Sequence, residues 1–350
     1  MAEAFVLNGK AIAPGQQDTV EIALSRLSDH TRMKLMVKVI HGRRPGPVMF
    51  VSGALHGDEI IGVEIIRRLA RLKLLRRLRG TLLLVPVVNT YGFISLSRYL
   101  PDRRDLNRCF PGSASGSLAS QLAHTFMTEI VSRCDYGIDL HSGAIHRANL
   151  PQIRATLDKP EVQQLARAFG TSIILDANLR DGSLRQAAQD VDCDILLYEA
   201  GEALRFDEVA IRVGMRGIIN VLRHVGMLTA SKRQRHRQEP VVSRSSHWLR
   251  APTGGLMRTQ RTLGNRVQKD EILAWVGDPL GSEHAEVTAK ASGIIIGQSN
   301  LPVVNRGDAL FHIAQVDCLE AATESYEALT QETENDPLLD GFEPESGVTE

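Results

Sequence analysis

The 350-residue chain contains no apolar run that approaches the roughly 20 residues needed to span a bilayer. Its first residues lack the basic segment and long apolar core of a signal peptide. Its four cysteines are widely scattered, and none form a C-x-x-C pair. From these absences we expect a cytoplasmic protein without membrane association, with buried thiols rather than disulfides and without a cysteine-ligated metal.

Basic residues are missing from the C-terminal segment. Between Cys318 and Glu350 there are ten acidic residues and no Lys or Arg. Removing these ten from the 41 acidic residues leaves 31 against 41 basic ones in the rest of the chain. An acidic, aromatic-poor end without apolar periodicity is typical of a solvated tail, so we expect residues 317–350 to be disordered. The positive excess elsewhere would attract nucleic acid or anionic small molecules, and composition does not choose between them.

Strand-like and helix-like patterns alternate through the first 230 residues. The apolar run at 81–88 is typical of a strand buried in a parallel sheet. Residues 58–79 instead carry apolar side chains at helical spacing. This alternation predicts an α/β catalytic domain over residues 1–230. We expect a mostly parallel sheet flanked by helices, with its ligand site at the carboxyl ends of the strands.

Helical patterns disappear after a polar, basic segment. Residues 231–240 have the composition of a linker, with nucleic-acid contact as an alternative interpretation. Over residues 241–316, short alternating runs are separated by Gly, Pro and Asp turns, which predicts a small all-β, barrel-like domain. The acidic tail, 317–350, completes the predicted organisation.

A histidine and a glutamate lie three residues apart where a predicted strand meets a predicted helix, in His56-Gly-Asp-Glu59. Imidazole and carboxylate are ligand types that zinc accepts, and two histidines with one glutamate are a frequent catalytic set. Such a tetrapeptide also arises by chance, with the glutamate favoured by the dipole of the following helix. A metal site therefore requires a third ligand and a base elsewhere in the chain.

Two further predicted strands end in side chains of the required types. His141 follows a strand that begins at Tyr136, with Asp139 on the same strand face, placed to orient a ligand. Glu199 ends another strand and is a candidate general base, while Glu202 lies farther into the turn as its competitor. A loop histidine and an isolated Glu-Ala-Gly are also common without any such role.

The long irregular stretch 89–116 carries several arginines and the pair Asn107-Arg108. A guanidinium binds a carboxylate through two parallel hydrogen bonds, and an asparagine adds directional ones. The stretch is therefore suited to a carboxylate-bearing substrate. Surface ion pairs with Asp102 and Asp105 are the alternative interpretation.

Four motifs follow one another in an order that resembles the succinylglutamate desuccinylase/aspartoacylase family, which is related to the zinc carboxypeptidases. They are His56-Gly-Asp-Glu59, Asp105-Leu-Asn-Arg-Cys-Phe-Pro-Gly112, Asp139-Leu-His141 and Glu199-Ala-Gly201. The resemblance covers roughly residues 30–225. It implies one zinc ion per chain with His56, Glu59 and His141 as ligands, Glu199 as general base and later proton donor, Arg98 polarising the scissile carbonyl, and Asn107, Arg108 and Arg185 binding the substrate.

One departure concerns the C-terminal domain. In aspartoacylases a tyrosine from that domain reaches the substrate, whereas here no tyrosine lies between Tyr198 and Tyr326, which leaves aspartoacylase specificity open. The β-rich region is similar to a lipoyl or biotinyl barrel, but Lys290 does not stand in the modification motif. We expect this barrel to form a wall of the active-site entrance, and His146 to line the same pocket.

The resemblance implies a zinc-dependent hydrolase that cleaves the amide bond of a small N-acylated amino acid or related carboxylate-bearing compound. A metallocarboxypeptidase acting on short peptides requires the same residues and stays open. A non-catalytic binding or regulatory protein is the alternative of another class. We expect a small-molecule substrate and no nucleic-acid or membrane partner, and the sequence leaves open whether the chain forms a homo-oligomer.

Overall fold

The computed structural model describes residues 2–230, 239–316, 319–334 and 336. Seven α-helices lie in this part of the chain. They are α1 (Ile61–Leu69), α2 (Thr90–Ile94), α3 (Leu118–Glu129), α4 (Pro160–Phe169), α5 (Leu184–Gln189), α6 (Glu208–His224) and α7 (Leu319–Glu334). Short 3-10 helices occupy Lys73–Arg77, Leu106–Arg108 and Val131–Arg133. None of the helices in the described ranges is long and apolar enough to cross a membrane.

Among the residues that the structure describes, ten strands precede the predicted linker and nine follow it. The first ten are β1 (Phe5–Leu7), β2 (Lys10–Ile12), β3 (Gln17–Arg26), β4 (Arg32–His41), β5 (Arg44–Ser52), β6 (Arg79–Val85), β7 (Tyr136–Gly143), β8 (Arg147–Ala155), β9 (Ile173–Asp176) and β10 (Asp194–Glu202). The others are β11 (Val241–Ser243), β12 (Ser245–Arg250), β13 (Gly255–Thr259), β14 (Arg266–Val267), β15 (Ile272–Gly277), β16 (His284–Thr288), β17 (Gly293–Ser299), β18 (Val303–Val304) and β19 (Ala309–Gln315).

The main sheet has the strand order β12-β19-β17-β8-β10-β7-β5-β6-β4-β3. The predicted α/β class is confirmed, but the prediction of a mostly parallel sheet is wrong, because the sheet is mixed. Strands β10, β7, β5 and β6 are parallel neighbours, whereas β8 pairs antiparallel with β10, β4 with β6, and β3 with β4. Parallel neighbours need a long crossover connection. Only five residues join β3 to β4, so these two strands must run antiparallel.

The central strands are buried on both faces. In β5, Met49 and Val51 pack with apolar residues of α1, α4 and α6, while Phe50 between them faces the opposite side. There Phe50 meets Phe126 of α3 edge-on, with ring centroids 5.7 Å apart. Alternate side chains of a strand point to opposite faces, so an uninterrupted apolar run serves two helical layers at once. The helices packed on both faces of the sheet fix the positions of the strand ends.

The β-rich C-terminal region is hydrogen-bonded to the α/β part. Strand β17 pairs with β8, and β11 pairs with β9. Strands β16, β15, β13 and β18 form a separate four-stranded sheet. The region contains strands and, within residues 239–316, no helix, as the alternating pattern predicted. That the region constitutes a domain of its own with a boundary at 241 stays a prediction.

The prediction of a disordered tail over residues 317–350 is wrong where the chain forms helix α7. Residues 319–334 are helical, and Leu329 packs into the core that includes α6. Glu332 forms an ion pair with Arg216 of α6. The acidic composition suggested a solvated segment, but opposite charge on α6 and the apolar contact of Leu329 give these residues a surface to pack against. Residues 317, 318, 335 and 337–350 lie outside the described residues, as do 231–238 of the predicted linker.

Candidate active site

Two histidines and a glutamate meet in a buried group at the carboxyl ends of β5 and β7. His56 and Glu59 lie in the corner between β5 and α1, and His141 lies near the end of β7. Their potential ligand atoms are all within 4.8 Å of one another. The Nδ1 atoms of His56 and His141 each lie 2.8 Å from an oxygen of Glu59. The structure thus brings together the three predicted ligands, a donor set that suits a divalent metal such as zinc.

The corner that holds His56 depends on close backbone packing. A Cβ atom on Gly57 would lie 2.0 Å from the backbone carbon of Gly92, and one on Gly62 would lie 2.7 Å from the Cβ of Leu140. These glycines allow α1 and the segment around Gly92 to approach the sheet edge. The tight fit explains why the imidazole and carboxylate of the His56-Gly-Asp-Glu59 motif point at the same spot as His141.

A carboxylate holds the second nitrogen of each histidine ring. The Nε2 atom of His141 lies 2.7 Å from Asp139, whose other oxygen accepts a hydrogen bond from Ser52 at 2.7 Å. The Nε2 atom of His56 lies 3.2 Å from Asp105. Such partners fix the tautomer and direction of metal-binding imidazoles. The role of Asp139 was expected, whereas Asp105 was missed, because its spacing in the chain does not show that it reaches His56.

The charge of each side chain in the His56–Glu59–His141 group shifts the pKa of its neighbours. Burial alone would raise the pKa of Glu59, but the adjacent His56 and His141 hold it well below its usual range. Burial lowers the pKa of His56, yet Glu59 and Asp105 outweigh this effect and raise it. A bound divalent cation would supply the same positive charge between the rings and the carboxylate, because metal ligands bind in their deprotonated forms.

Arg98 lies directly against this group. Its guanidinium donates to Glu59 at 3.1 Å and to one oxygen of Asp105 at 3.0 and 3.2 Å. These contacts hold the arginine beside the potential metal ligands. The structure therefore places Arg98 next to the predicted reaction centre, and its predicted effect on the scissile carbonyl stays a prediction.

Glu199 faces the same cavity from β10. It stands opposite His141 in the parallel pair of β10 and β7. The side-chain amide of Asn149 donates a hydrogen bond to the Glu199 carboxylate, and Arg154 lies 3.6 Å from it. Glu202, the competing candidate, instead accepts hydrogen bonds from the backbone of His146 at 2.9 Å and from Asn300 at 2.8 Å. The geometry therefore favours Glu199.

All eight predicted site residues line a single cavity of about 570 Å³. The C-terminal β region contributes a wall, as expected. Its lining residues are Ser243, Ser245, Ser246, Trp248 and His312. His146 was also expected to line the pocket, but it is exposed and does not contribute to the lining. Its backbone N–H instead donates a hydrogen bond to Glu202, and its backbone carbonyl accepts one from the N–H of Asn300.

The predicted substrate-binding residues come from two segments that contact each other. The side-chain oxygen of Asn107 accepts a hydrogen bond from the backbone of Leu184 at 2.9 Å. Gly182 has a φ of +72°, and a Cβ there would lie 2.7 Å from the carbonyl oxygen of Arg108. This contact brings Arg185 to the same cavity as Arg108. Burial and the charge of Arg154 lower the pKa of Arg185 to about 10.

Three further arginines line the cavity and were missed from the sequence. They are Arg147, Arg154 and Arg180. Arg147 stands six residues after His141 at the start of β8, a proximity that could have been noticed. Nothing in a single sequence separates Arg154 or Arg180 from surface arginines, because their position depends on how β8 and the 177–183 segment lie in the fold.

Comparison with known proteins identifies the family of this chain. A sequence model of the succinylglutamate desuccinylase/aspartoacylase catalytic domain matches residues 45–225, more than half of the chain. The chain therefore belongs to this family. It is also 28% identical over 286 residues to the N-alpha-acetyl-L-2,4-diaminobutyric acid deacetylase of Halomonas elongata, covering 78% of this chain and 84% of that protein.

Solved structures show the same fold. A succinylglutamate desuccinylase/aspartoacylase from Rhodobacter sphaeroides superposes with a TM-score of 0.77 at 24% identity, covering 86% of this chain and 96% of that one. The product-bound ectoine utilization protein EutE (DoeB) from Ruegeria pomeroyi gives a TM-score of 0.77 at 23% identity, covering 85% and 94%. Both superpositions extend over most of this chain.

Proposed function

We propose that this protein is a zinc-dependent hydrolase that cleaves the amide bond of a small N-acylated amino acid or related carboxylate-bearing compound. The observation that carries the proposal is the convergence of a His-Glu-His group, a separate glutamate and several arginines on one cavity. Family membership and the similarity to a deacetylase support hydrolysis of a carbon–nitrogen bond other than a peptide bond.

His56, Glu59 and His141 would hold one zinc ion per chain. Their two imidazole nitrogens and one carboxylate are a donor set used by catalytic zinc sites, and Asp105 and Asp139 orient the two rings. When bound, zinc supplies a Lewis acid that polarises the amide carbonyl and lowers the pKa of water.

The arginines position the substrate in this proposal. Asn107, Arg108 and Arg185 bind a substrate carboxylate, since a guanidinium fork matches its two oxygens. Arg98 donates to the carbonyl oxygen as negative charge develops on it, an arrangement that stabilises the transition state more than the ground state. Arg98 starts from a fixed position, because Glu59 and Asp105 already hold its guanidinium.

Glu199 acts as general base and then as general acid. It removes a proton from the attacking water and returns that proton to the leaving nitrogen. Asn149 donates to the carboxylate of Glu199, which fixes its direction in the cavity. One carboxylate thereby carries the proton through both halves of the reaction.

We place the reaction in the cytoplasm. The three cysteines within the described ranges, Cys109, Cys134 and Cys193, are all free thiols. Burial raises the pKa of Cys193 to about 12, which makes it an unreactive thiol. Free, buried thiols are typical of proteins from reducing compartments. The expected partner is a small-molecule substrate rather than nucleic acid or membrane.

A hydrolysis screen tests the reaction class. Zinc-loaded and chelated protein would be offered N-acyl amino acids, including N-acetyl-2,4-diaminobutyric acid, together with short peptides. We expect zinc-dependent release of the amine from the N-acyl amino acids. Preferential removal of C-terminal residues from peptides would identify a metallocarboxypeptidase instead, and turnover of neither class would favour a non-catalytic protein.

The Glu199→Gln variant tests the mechanism. It should retain zinc but lose about 10²- to 10⁴-fold in kcat, the usual contribution of a general acid–base group. Glu202→Gln is the matched control, because it makes the same change at a carboxylate outside the cavity lining, and the glutamine oxygen can still accept the hydrogen bond from the backbone of His146. Wild-type turnover in Glu199→Gln, or a larger loss in Glu202→Gln, would reassign the base.

A further inference from the structure

Arg147 lies in the wall of the cavity. It is exposed, lines the cavity, and takes part in none of the ion pairs found among the described residues. Its guanidinium carbon lies 5.7 Å from the centroid of the Trp248 ring. Trp248 in turn stacks on His312, with centroids 4.7 Å apart and planes within 10°. The three side chains form a stack that we call the Arg147–Trp248–His312 wall.

The wall is closely packed behind the arginine. A Cβ atom on Gly297 would lie 3.3 Å from the Trp248 ring and 3.0 Å from both His312 and the side chain of Asn149. The absence of a side chain at Gly297 therefore leaves room for Trp248 and Asn149 together. The His312 ring is further held through its Nε2 atom, 2.9 Å from the Ser246 hydroxyl.

This packing prepares Arg147 to bind an anion. A guanidinium over an aromatic face gains cation–π attraction while its N–H groups stay available at the edge. Ordering a long side chain costs conformational entropy, and a partly pre-ordered one loses less on binding. A carboxylate is the complementary group, because its two oxygens match the fork of N–H donors.

The position of Arg147 separates this anion from the reacting amide. Glu199 of β10 stands opposite His141 of β7 on one side and opposite Gln152 of β8 on the other, so Arg147 lies five residues farther along β8. A strand rises about 3.3 Å per residue, so Arg147 lies roughly 15 Å along β8 from the residue opposite Glu199. A carboxylate at Arg147 would thus lie several bonds away from an amide held between the His56–Glu59–His141 group and Glu199.

We propose that Arg147, held on Trp248, is a specificity-determining residue that binds a second carboxylate of the substrate. The inference rests on the proposed amide hydrolysis and goes further by naming a charged group remote from the bond that is cleaved. This carboxylate belongs either to the acyl half or to the side chain of the amine half.

Matched substrate pairs test the inference and separate these two sources. N-acetyl-L-glutamate and N-acetyl-L-glutamine differ only in the charge of the amine half. N-succinyl-L-alanine and its succinamoyl analogue differ only in the charge of the acyl half. We expect wild type to prefer the charged member of one pair by about 10- to 100-fold in kcat/KM, the usual range for a charge-assisted hydrogen-bonded pair. The pair that shows the preference identifies the source.

Arg147→Gln is expected to abolish that preference through a loss on the charged member, and Arg147→Lys to keep part of it. Arg258→Gln is the matched control, since Arg258 is an exposed arginine of β13 that does not line the cavity. It should retain the full preference. An equal loss on both members in Arg147→Gln would indicate a merely structural role, and a retained preference would assign the carboxylate to another arginine; either result overturns the inference.

Calorimetry keeps this test separate from the test of the reaction. If wild type hydrolyses no N-acyl amino acid, the proposed function fails, and binding still reports on Arg147. N-acetyl-L-glutamate and N-succinyl-L-alanine would be titrated into wild type and Arg147→Gln. At least about tenfold weaker binding of one of them to the variant supports the inference. Equal binding of both overturns it.

Discussion

The two walls of the cavity place histidines in opposite electrostatic surroundings. On the metal-ligand side, burial alone would lower the pKa of His141, but Asp139 and Glu59 raise it well above its ordinary value. On the C-terminal side, burial and the charge of Arg154 lower the pKa of His312 to about 3. The protonated, charged form of histidine is therefore favoured at His141, and the neutral form is favoured at His312.

This difference indicates that two parts of the cavity lining suit ligands of opposite charge. The first wall concentrates carboxylates around two imidazoles, an arrangement complementary to a cation. The rest of the lining carries five arginines against two carboxylates, an arrangement complementary to an anion; the arginines are Arg108, Arg147, Arg154, Arg180 and Arg185, and the carboxylates are Asp176 and Glu199. Under the proposed function, a carboxylate-bearing substrate would lie with its charge toward the arginines and its amide toward the His56–Glu59–His141 group.

The largest effect is expected from removing one of the predicted metal ligands, because this disrupts the cation-binding side of the cavity. His141→Ala leaves two of the three ligands, so we expect loss of stoichiometric zinc and at least about a 10³-fold loss of turnover, since metal catalysis supplies several kcal/mol. Elemental analysis and initial rates measure both. His146→Ala, five residues farther along the chain and outside the cavity lining, is the control. Wild-type turnover by metal-free His141→Ala would refute the zinc site.

Weakening the support of a ligand should have a smaller effect. Asp139→Asn keeps the size of the side chain but places a neutral amide beside His141, so we expect about 10- to 100-fold weaker zinc binding. Competition with a chelator measures the affinity. Asp102→Asn serves as the comparison, because Asp102 accepts a hydrogen bond from the backbone of Ala119 and does not contact the His56–Glu59–His141 group. Unchanged affinity in Asp139→Asn would mean that it does not orient the ligand.

Changing an arginine of the cavity lining should affect binding of charged substrates rather than zinc. Arg108→Ala is expected to raise KM by about tenfold for substrates with a free carboxylate and much less for their amides. Steady-state kinetics on acid and amide pairs gives the comparison. Arg104→Ala, an exposed neighbour beside Asp102, is the control. A similar rise in KM for acids and amides would contradict the assigned role of Arg108.

The smallest effect concerns the neutral histidine. Because the pKa of His312 is lowered in the folded state, the unfolded chain takes up its proton first, and stability falls as pH drops from 6.5 toward 3. Between pH 7 and 5.5 this contributes about 1 kcal/mol. Urea unfolding of His312→Gln should show a correspondingly smaller loss than wild type. His284→Gln, an exposed histidine, should behave as wild type, and parallel curves for all three would contradict the prediction.

Much of the site was predictable because its parts stand at strand ends. His56, His141 and Glu199 each follow an apolar run, and parallel strands carry such ends to the same edge of a sheet. The α/β class followed from the same alternation. This reasoning works for local patterns, in which the signal and the structural consequence lie within a few residues of each other.

Long-range contacts were not predictable in this way. The pairing of Asp105 with His56 spans 49 residues, and the stack of Trp248 on His312 joins two strands of the C-terminal region. The mixed sheet and the packing of α7 on α6 likewise depend on distant partners. A single sequence does not specify which distant side chains meet, because composition and spacing constrain only neighbours along the chain.

The pairing of β17 with β8 and of β11 with β9 limits how this enzyme fold can be divided or recombined. A chain cut before β11 would leave β9 as an open sheet edge and strip part of β8 of its partner, and exposed edges invite association with other chains. The same cut would remove Trp248 from the cavity. Exchanging the C-terminal region between relatives therefore means exchanging sheet strands and substrate contacts together, so modular swapping of specificity requires compatible edges on β8 and β9.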